Sequence, residues 1–187
     1  MQEEINQVVS FLEIGKTILY PTDTIWGLGC DPENTQAVKR LYEIKKREDH
    51  KAMIVLIAEI GQLYHYVENI PEIAWDIVEF AEKPLTVIYP KGKNTCPELL
   101  GPDGSIAVRL TKDAFCTKLI KKFRKGIVST SANISGDPSP TSFSTINSSI
   151  IKSVDYAVNF RKEEILNKPP STILKLELNG EIKFIRK

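Results

Sequence analysis

Apolar and polar positions follow two rhythms along this chain, and the switches between them mark its elements. Ile5, Val8, Val9 and Leu12 recur at helical spacing over residues 3–13, and Gly15 stops the run. A second helical pattern covers residues 35–47, with Ala37, Val38, Leu41, Tyr42 and Ile44 inward and Asn34 as its cap. A third runs over residues 71–83, with Pro71 in the first turn and Ile73, Trp75, Ile77, Val78 and Phe80 supplying bulk. A fourth covers residues 114–124.

Between these helices lie short β-rich runs at residues 17–20, 53–57, 85–89, 105–110, 127–129, 155–160, 172–178 and 182–185. The unbroken apolar run Met53-Ile54-Val55-Leu56-Ile57 predicts a strand covered on both faces. Asn179-Gly180 predicts a hairpin between the last two strands. Residues 139–151 are polar and fit neither rhythm. The pattern as a whole predicts an α/β fold, a single domain over residues 1–187 with a twisted, mixed, open sheet flanked by helices.

Composition adds exclusions. Hydrophobic content of 42% and charged content of 26% are ordinary globular values. A net charge of +1 provides no global field for nucleic acid, although the basic residues are clustered. Lys39, Arg40, Lys45, Lys46, Arg47 and Lys51 form one window; Lys112, Lys118, Lys121, Lys122, Arg124 and Lys125 form another, which reads as a solvated helix face. Cys30, Cys96 and Cys116 have neither CxxC pairing nor metal-ligand spacing, as expected of reduced cytosolic thiols. The acidic start Met1-Gln2-Glu3-Glu4 lacks an apolar signal core, and no run approaches ~18 apolar residues. The expectation is a cytoplasmic protein without a membrane partner.

Two strand-end loops carry the candidate chemistry. Ser129-Thr130-Ser131-Ala132-Asn133-Ile134-Ser135-Gly136 follows the apolar pair Ile127-Val128 and is rich in hydroxyls. Tyr20-Pro21-Thr22-Asp23-Thr24-Ile25-Trp26-Gly27-Leu28-Gly29 follows the first strand, and its glycines admit a close backbone approach. Loops at strand ends of open α/β sheets project donors into a crevice, which suits phosphate or carboxylate oxygens. Lys45 and Arg47, at the end of the second helix, could reach one polyphosphate, the arginine as a fork and the lysine as a point charge. Neither GxxxxGK[ST] nor GxGxxG is present. Trp26 reads either as a stacking surface or as a packed loop anchor, and Asp23 as a residue that orients its loop. His50 and His65 stand in no catalytic motif.

The series Pro21-Thr22-Asp23-Thr24 with Gly27-Leu28-Gly29, then Lys45-x-Arg47, Pro84-Leu85-Thr86, Ile106-Ala107-Val108-Arg109, Ser131-x-Asn133 with Ser135-Gly136, and Ser171-Thr172-Ile173 resembles the YrdC-type threonylcarbamoyl-AMP synthases. The resemblance runs from about Thr17 to near the C-terminus, and it matches the short type without an additional C-terminal domain. It implies a nucleotidyltransferase that combines L-threonine, bicarbonate and ATP, the last with Mg2+, into threonylcarbamoyl-AMP and pyrophosphate. A tRNA-threonylcarbamoyl transfer complex would then use the product to modify the adenosine beside the anticodon, with tRNA contact by this chain an open question.

Carried over by position, Thr24, Arg109, Ser129 and Ser171 would contact threonine, and Arg47, Lys51, Ser105, Ser131 and Ser139 would contact ATP. Lys45 and Asn133 complete the catalytic set with Arg47 and Ser131. No protein-made metal site is expected, since substrate phosphates would hold the magnesium. Two departures from the pattern are Glu48, where many relatives have proline, and Trp26, where tyrosine or phenylalanine is usual. The competing readings are a non-catalytic relative that binds tRNA or double-stranded RNA through its basic faces, and a paralogue that adenylates another carbamate.

Overall fold

Successive residues of the central strands bury on opposite faces of one sheet, and the two faces are covered differently. The computed structural model describes residues 1–46, 53–166 and 169–186. Its elements in chain order are α1 (Gln2–Glu13), β1 (Ile18–Tyr20), β2 (Gly27–Gly29), α2 (Thr35–Ile44), β3 (Ile54–Ile57), α3 (Leu63–Tyr66), α4 (Ile73–Glu79) and β4 (Leu85–Tyr89). There follow β5 (Ile106–Leu110), α5 (Ala114–Phe123), β6 (Ile127–Ser131), α6 (Ser148–Ser153), β7 (Tyr156–Ala157), β8 (Thr172–Leu176) and β9 (Ile182–Arg186). The strands form one nine-stranded sheet in the order β7-β1-β2-β6-β3-β5-β4-β8-β9. The pairs β1/β7, β3/β5 and β4/β8 are parallel and the others antiparallel, so the sheet is mixed as predicted.

One face is covered along most of its length. Leu19, Leu28, Val55, Ile57, Val108, Val128, Leu174 and Leu176 point there, and Ala37, Val38, Leu41 and Ile44 of α2 pack against part of it. Asn34 caps α2 by accepting from the Ala37 amide at 3.0 Å, as the sequence predicts. The intervening residues Ile18, Tyr20, Leu56 and Ile127 face the other way. There they meet Ile5, Val8, Val9 and Leu12 of α1 and Phe115, Leu119, Ile120 and Phe123 of α5. That second helical layer stops short of β4, β8 and β9. The uncovered part of the face is where polar side chains of the strands gather.

The structure departs from the sequence pattern where packing overrides periodicity. The Gly27-Leu28-Gly29 stretch, read as loop, is strand β2 between β1 and β6. A Cβ on Gly29 would lie 2.6 Å from the Val128 carbonyl oxygen and 2.7 Å from Tyr20 Cε1, so position 29 has room only for glycine. The helix predicted over residues 71–83 contracts to α4, whose buried residues are Ala74 and Val78, while Ile73 and Phe80 are exposed. The strand predicted over residues 155–160 shortens to β7, and residues 139–151 resolve into a 3₁₀ turn at Phe143–Thr145 and the start of α6. Strand β6 runs on to Ser131, two residues past its predicted end. Among the described residues, no helix is long and apolar enough to cross a membrane.

Candidate active site

The uncovered face forms a cavity of about 560 Å³ whose wall alternates by strand geometry. On β5, Ile106 and Val108 enter the core while Ala107 and Arg109 point into the cavity; on β4, Val87 and Tyr89 are core while Thr86 and Ile88 line it. This is the period-2 alternation of a strand with each face in a different environment. Strand β6 contributes Ser129, Thr130 and Ser131, and the loop after β1 contributes Thr22 and Thr24.

Arg109 is the electrostatic centre. It is only 4% exposed, and its NH2 donates to Asp23 Oδ1 at 2.8 Å. Its Nε is buried and has no hydrogen-bond partner. A buried donor left unmatched on a charged fork costs free energy until an acceptor arrives. Arg186, from β9, supplies a second guanidinium: its Nε and NH2 donate to the Ser171 carbonyl oxygen at 3.1 and 2.7 Å. Burial and then the Arg109 charge push the Arg186 pKa below the ordinary arginine value. Among the described lining residues there are two arginines and no carboxylate, so the cavity favours anions.

Hydroxyls complete the wall and are themselves braced. Thr22 Oγ1 donates to the Ile25 carbonyl at 2.7 Å and accepts from the Thr24 amide at 3.1 Å, fixing the turn that presents Thr24. Thr86 Oγ1 and Ser171 Oγ share a hydrogen bond of 2.8 Å. Ser105, at the foot of β5, is held by its amide donating to Asp103 Oδ1 at 3.1 Å, and Asp103 pairs with Lys175 at 2.9 Å. Hydrogen bonds from Ser105 and then Lys175 hold the Asp103 carboxyl well below the usual carboxylate range.

Thus seven of the residues singled out from sequence share one cavity: Thr24, Ser105, Arg109, Ser129, Ser131, Ser139 and Ser171. Lys45 and Asn133 are not on its wall. Lys45 is buried, its Nζ donating to the carbonyls of Ser131 and Asn133 at 2.6 and 2.8 Å. Asn133 Nδ2 donates to the Ile134 and Asp137 carbonyls, and the residue borders a neighbouring hollow of about 410 Å³ that also reaches Ser139. Arg47 and Lys51, together with Glu48 and His50, lie outside the described residues.

Trp26 is fully buried with its ring edge-on to Phe143 at 5.0 Å, a packed anchor rather than a stacking surface. His65 sits at the surface against Glu33 at 2.9 Å. Sequence reasoning had named Thr22 and Thr86 within motifs without giving either a contact, and had not singled out Arg186. Only the cation closing the apolar run Ile182-Lys183-Phe184-Ile185 could have pointed to Arg186.

Comparison with known proteins agrees with this geometry. A family model described as telomere recombination, for the Sua5/YciO/YrdC proteins, matches residues 10–187. The threonylcarbamoyl-AMP synthase of Pseudoalteromonas translucida (strain TAC 125) is 39% identical over 186 residues, 97% of either chain. That of Aliivibrio fischeri (strain ATCC 700601 / ES114) is 39% identical over 137 residues, 72% of this chain and 74% of the other. The crystal structure of P. abyssi Sua5 complexed with L-threonine matches with a TM-score of 0.86 at 30% identity, over 94% of this chain and 52% of that one. The present chain therefore spans about half of that longer protein. E. coli YciO matches with a TM-score of 0.86 at 24% identity, over 100% of this chain and 90% of that one, a likeness of fold. With the family model covering almost the whole sequence and a relative aligned over nearly its full length, the chain belongs to the Sua5/YciO/YrdC family.

Proposed function

We propose that this chain is an L-threonylcarbamoyl-AMP synthase, a nucleotidyltransferase joining L-threonine, bicarbonate and ATP with release of pyrophosphate. The observation that carries the reading is the unpartnered, buried Nε of Arg109 in a hydroxyl-lined wall that carries no carboxylate among its described residues. An amino acid's carboxylate is the acceptor such a fork is built for. Thr24, Ser129 and Ser171, which line the same cavity, are assigned to the rest of threonine, and a cavity that hydrogen-bonds its hydroxyl would reject valine.

In the proposed reaction the threonine amine attacks the bicarbonate carbon, a C–O bond breaks, and water leaves to give the N-carboxylate (carbamate). A carbamate oxygen attacks the α-phosphorus of ATP, the bond to the β-phosphate bridging oxygen breaks, and pyrophosphate leaves. The protein contributes position and charge rather than a covalent intermediate. Ser105, Ser131 and Ser139, on the same wall, are assigned to ATP with Arg47 and Lys51. Magnesium is assigned to the ATP phosphates, the usual holders of this ion in ATP chemistry. The whole of residues 1–187 acts as one YrdC-like domain in the cytoplasm, and its product passes to a tRNA-threonylcarbamoyl transfer complex.

The test is pyrophosphate release from Mg-ATP and bicarbonate with threonine, serine or valine, with the adenylate identified by mass spectrometry. Threonine-dependent release is expected, and Arg109→Ala should raise the threonine KM by roughly 100-fold, the scale of a lost charged hydrogen-bond pair. Release that is the same with and without threonine would overturn the reading.

A further inference from the structure

Lys45 combines a phosphate binder's chemistry with a location away from the cavity. It is 3% exposed and does not line the wall. It stands at the C-terminal cap of α2 and is tied three times to the strand-end turn after β6. Its Nζ donates to the Ser131 carbonyl at 2.6 Å and to the Asn133 carbonyl at 2.8 Å, and its own carbonyl accepts from the Ser135 amide at 2.9 Å. These contacts fall on alternate residues of the turn, so one lysine spans its whole rise. These carbonyls take two of the ammonium's three donors, and a movement of Lys45 onto the cavity wall would break both bonds.

We propose that Lys45 is a positioning residue: it locks the Ser131–Ser135 turn against the end of α2 and so sets Ser131 on the cavity wall from behind, without touching substrate. Its effect on turnover rests on the proposed synthase reading. Its effect on the turn rests on the hydrogen bonds alone.

Two substitutions separate a latch from a phosphate ligand. Lys45→Met keeps an unbranched apolar stem one atom shorter and removes every side-chain donor. Lys45→Gln keeps an amide with two N–H groups but no charge. In the Met variant, amide hydrogen exchange over residues 131–136 should quicken by ~10-fold or more, as expected when a local opening becomes easier. Its kcat for pyrophosphate release should fall by ~10-fold while the salt dependence of ATP binding stays unchanged, since no phosphate contact is lost. The Gln variant should recover part of both losses.

Unchanged exchange in the Met variant would overturn the proposal. So would a shallower salt dependence of ATP binding with Met and Gln equally impaired, the mark of a lost cation. If the Met variant does not fold, exchange in a folded Gln variant decides: exchange over residues 131–136 faster than in the unaltered protein supports the latch, and exchange equal to it removes it. If the unaltered protein releases no threonine-dependent pyrophosphate, the synthase reading fails, and the exchange measurement still decides the latch.

Discussion

Arg109 shows how a single side chain can be prepared for a ligand by being incompletely satisfied. Asp23 takes one arm of the guanidinium at 2.8 Å and fixes its plane, while Nε remains buried without an acceptor. Asp23, read from sequence as a residue that orients its own loop, is paired here with Arg109 of β5. Another residue-scale constraint is negative. Gly29 has ordinary backbone angles but no room, since an added Cβ meets the Val128 carbonyl at 2.6 Å and the Tyr20 ring at 2.7 Å. Neither neighbour is the loose end of a flexible chain, because Tyr20 is fully buried. Gly29→Ala should therefore destabilise the protein by about 1–3 kcal/mol, the usual cost of overpacking. The urea midpoint is the measurement; a midpoint equal to that of the unaltered protein would mean that β2 can move away from β6.

Element by element, the sequence revealed those parts whose packing follows a simple period. The α1, α2 and α5 helices were legible because each buries one stripe on a sheet face, and β3 because both its faces are covered. Strand β2 was hidden because two of its three residues are glycines and show no alternation. The extent of α4 was misjudged because its apolar residues are partly solvent-exposed, so the pattern signalled bulk without burial.

Strand β9 hides a further device. Its ladder with β8 slips so that Phe184 faces Leu174 and Arg186 faces Ile173, leaving Ile185 as an extra residue. A bulge of this kind re-aims side chains, and here both Ile185 and Arg186 reach the cavity wall. The bulge also blunts a sheet edge that carries exposed Ile182 and Phe184. Arg186→Met removes the bonds to Ser171 while keeping an apolar stem in place. It should lower kcat/KM for pyrophosphate release by roughly 10–100-fold with a change of less than about 1 kcal/mol in stability, because the strand end is exposed. A large loss of stability with unaltered kinetics would assign Arg186 to the fold alone.

For the molecule as a whole, the site is what remains when two helical layers fail to cover one sheet equally. The α1 and α5 layer covers only part of one face, and the hydroxyls and arginines occupy the rest. That division was not legible in sequence, because it depends on strand order, which pairs β3 with β6 and β4 with β8 across long separations. The far edge of the sheet is closed by a carboxylate. Asp155 Oδ2 accepts from both the Thr17 amide and the Thr17 hydroxyl at 2.8 Å, and Lys16 lies 3.4 Å from Oδ1, so β7 is tied to the start of β1. Burial acts to raise the Asp155 pKa, but the Thr17 bonds and Lys16 outweigh it, and the net shift is downward. A carboxyl depressed in the folded state stabilises fully above its unfolded value of about 4, and the contribution drains away as pH falls through the lower folded value. The protein should therefore lose stability on acidification below about pH 4–5, with Asp103 and Glu33 acting in the same sense. Asp103 is about half exposed and so is strongly screened, which leaves the better-shielded Asp155 the more visible of the two. The unfolding free energies from urea titrations at pH 6 and pH 3 should differ less in Asp155→Asn than in the unaltered protein, by about 0.5 kcal/mol after screening. An identical difference in the two proteins would place the acid sensitivity at other carboxylates and leave the β1–β7 edge indifferent to pH.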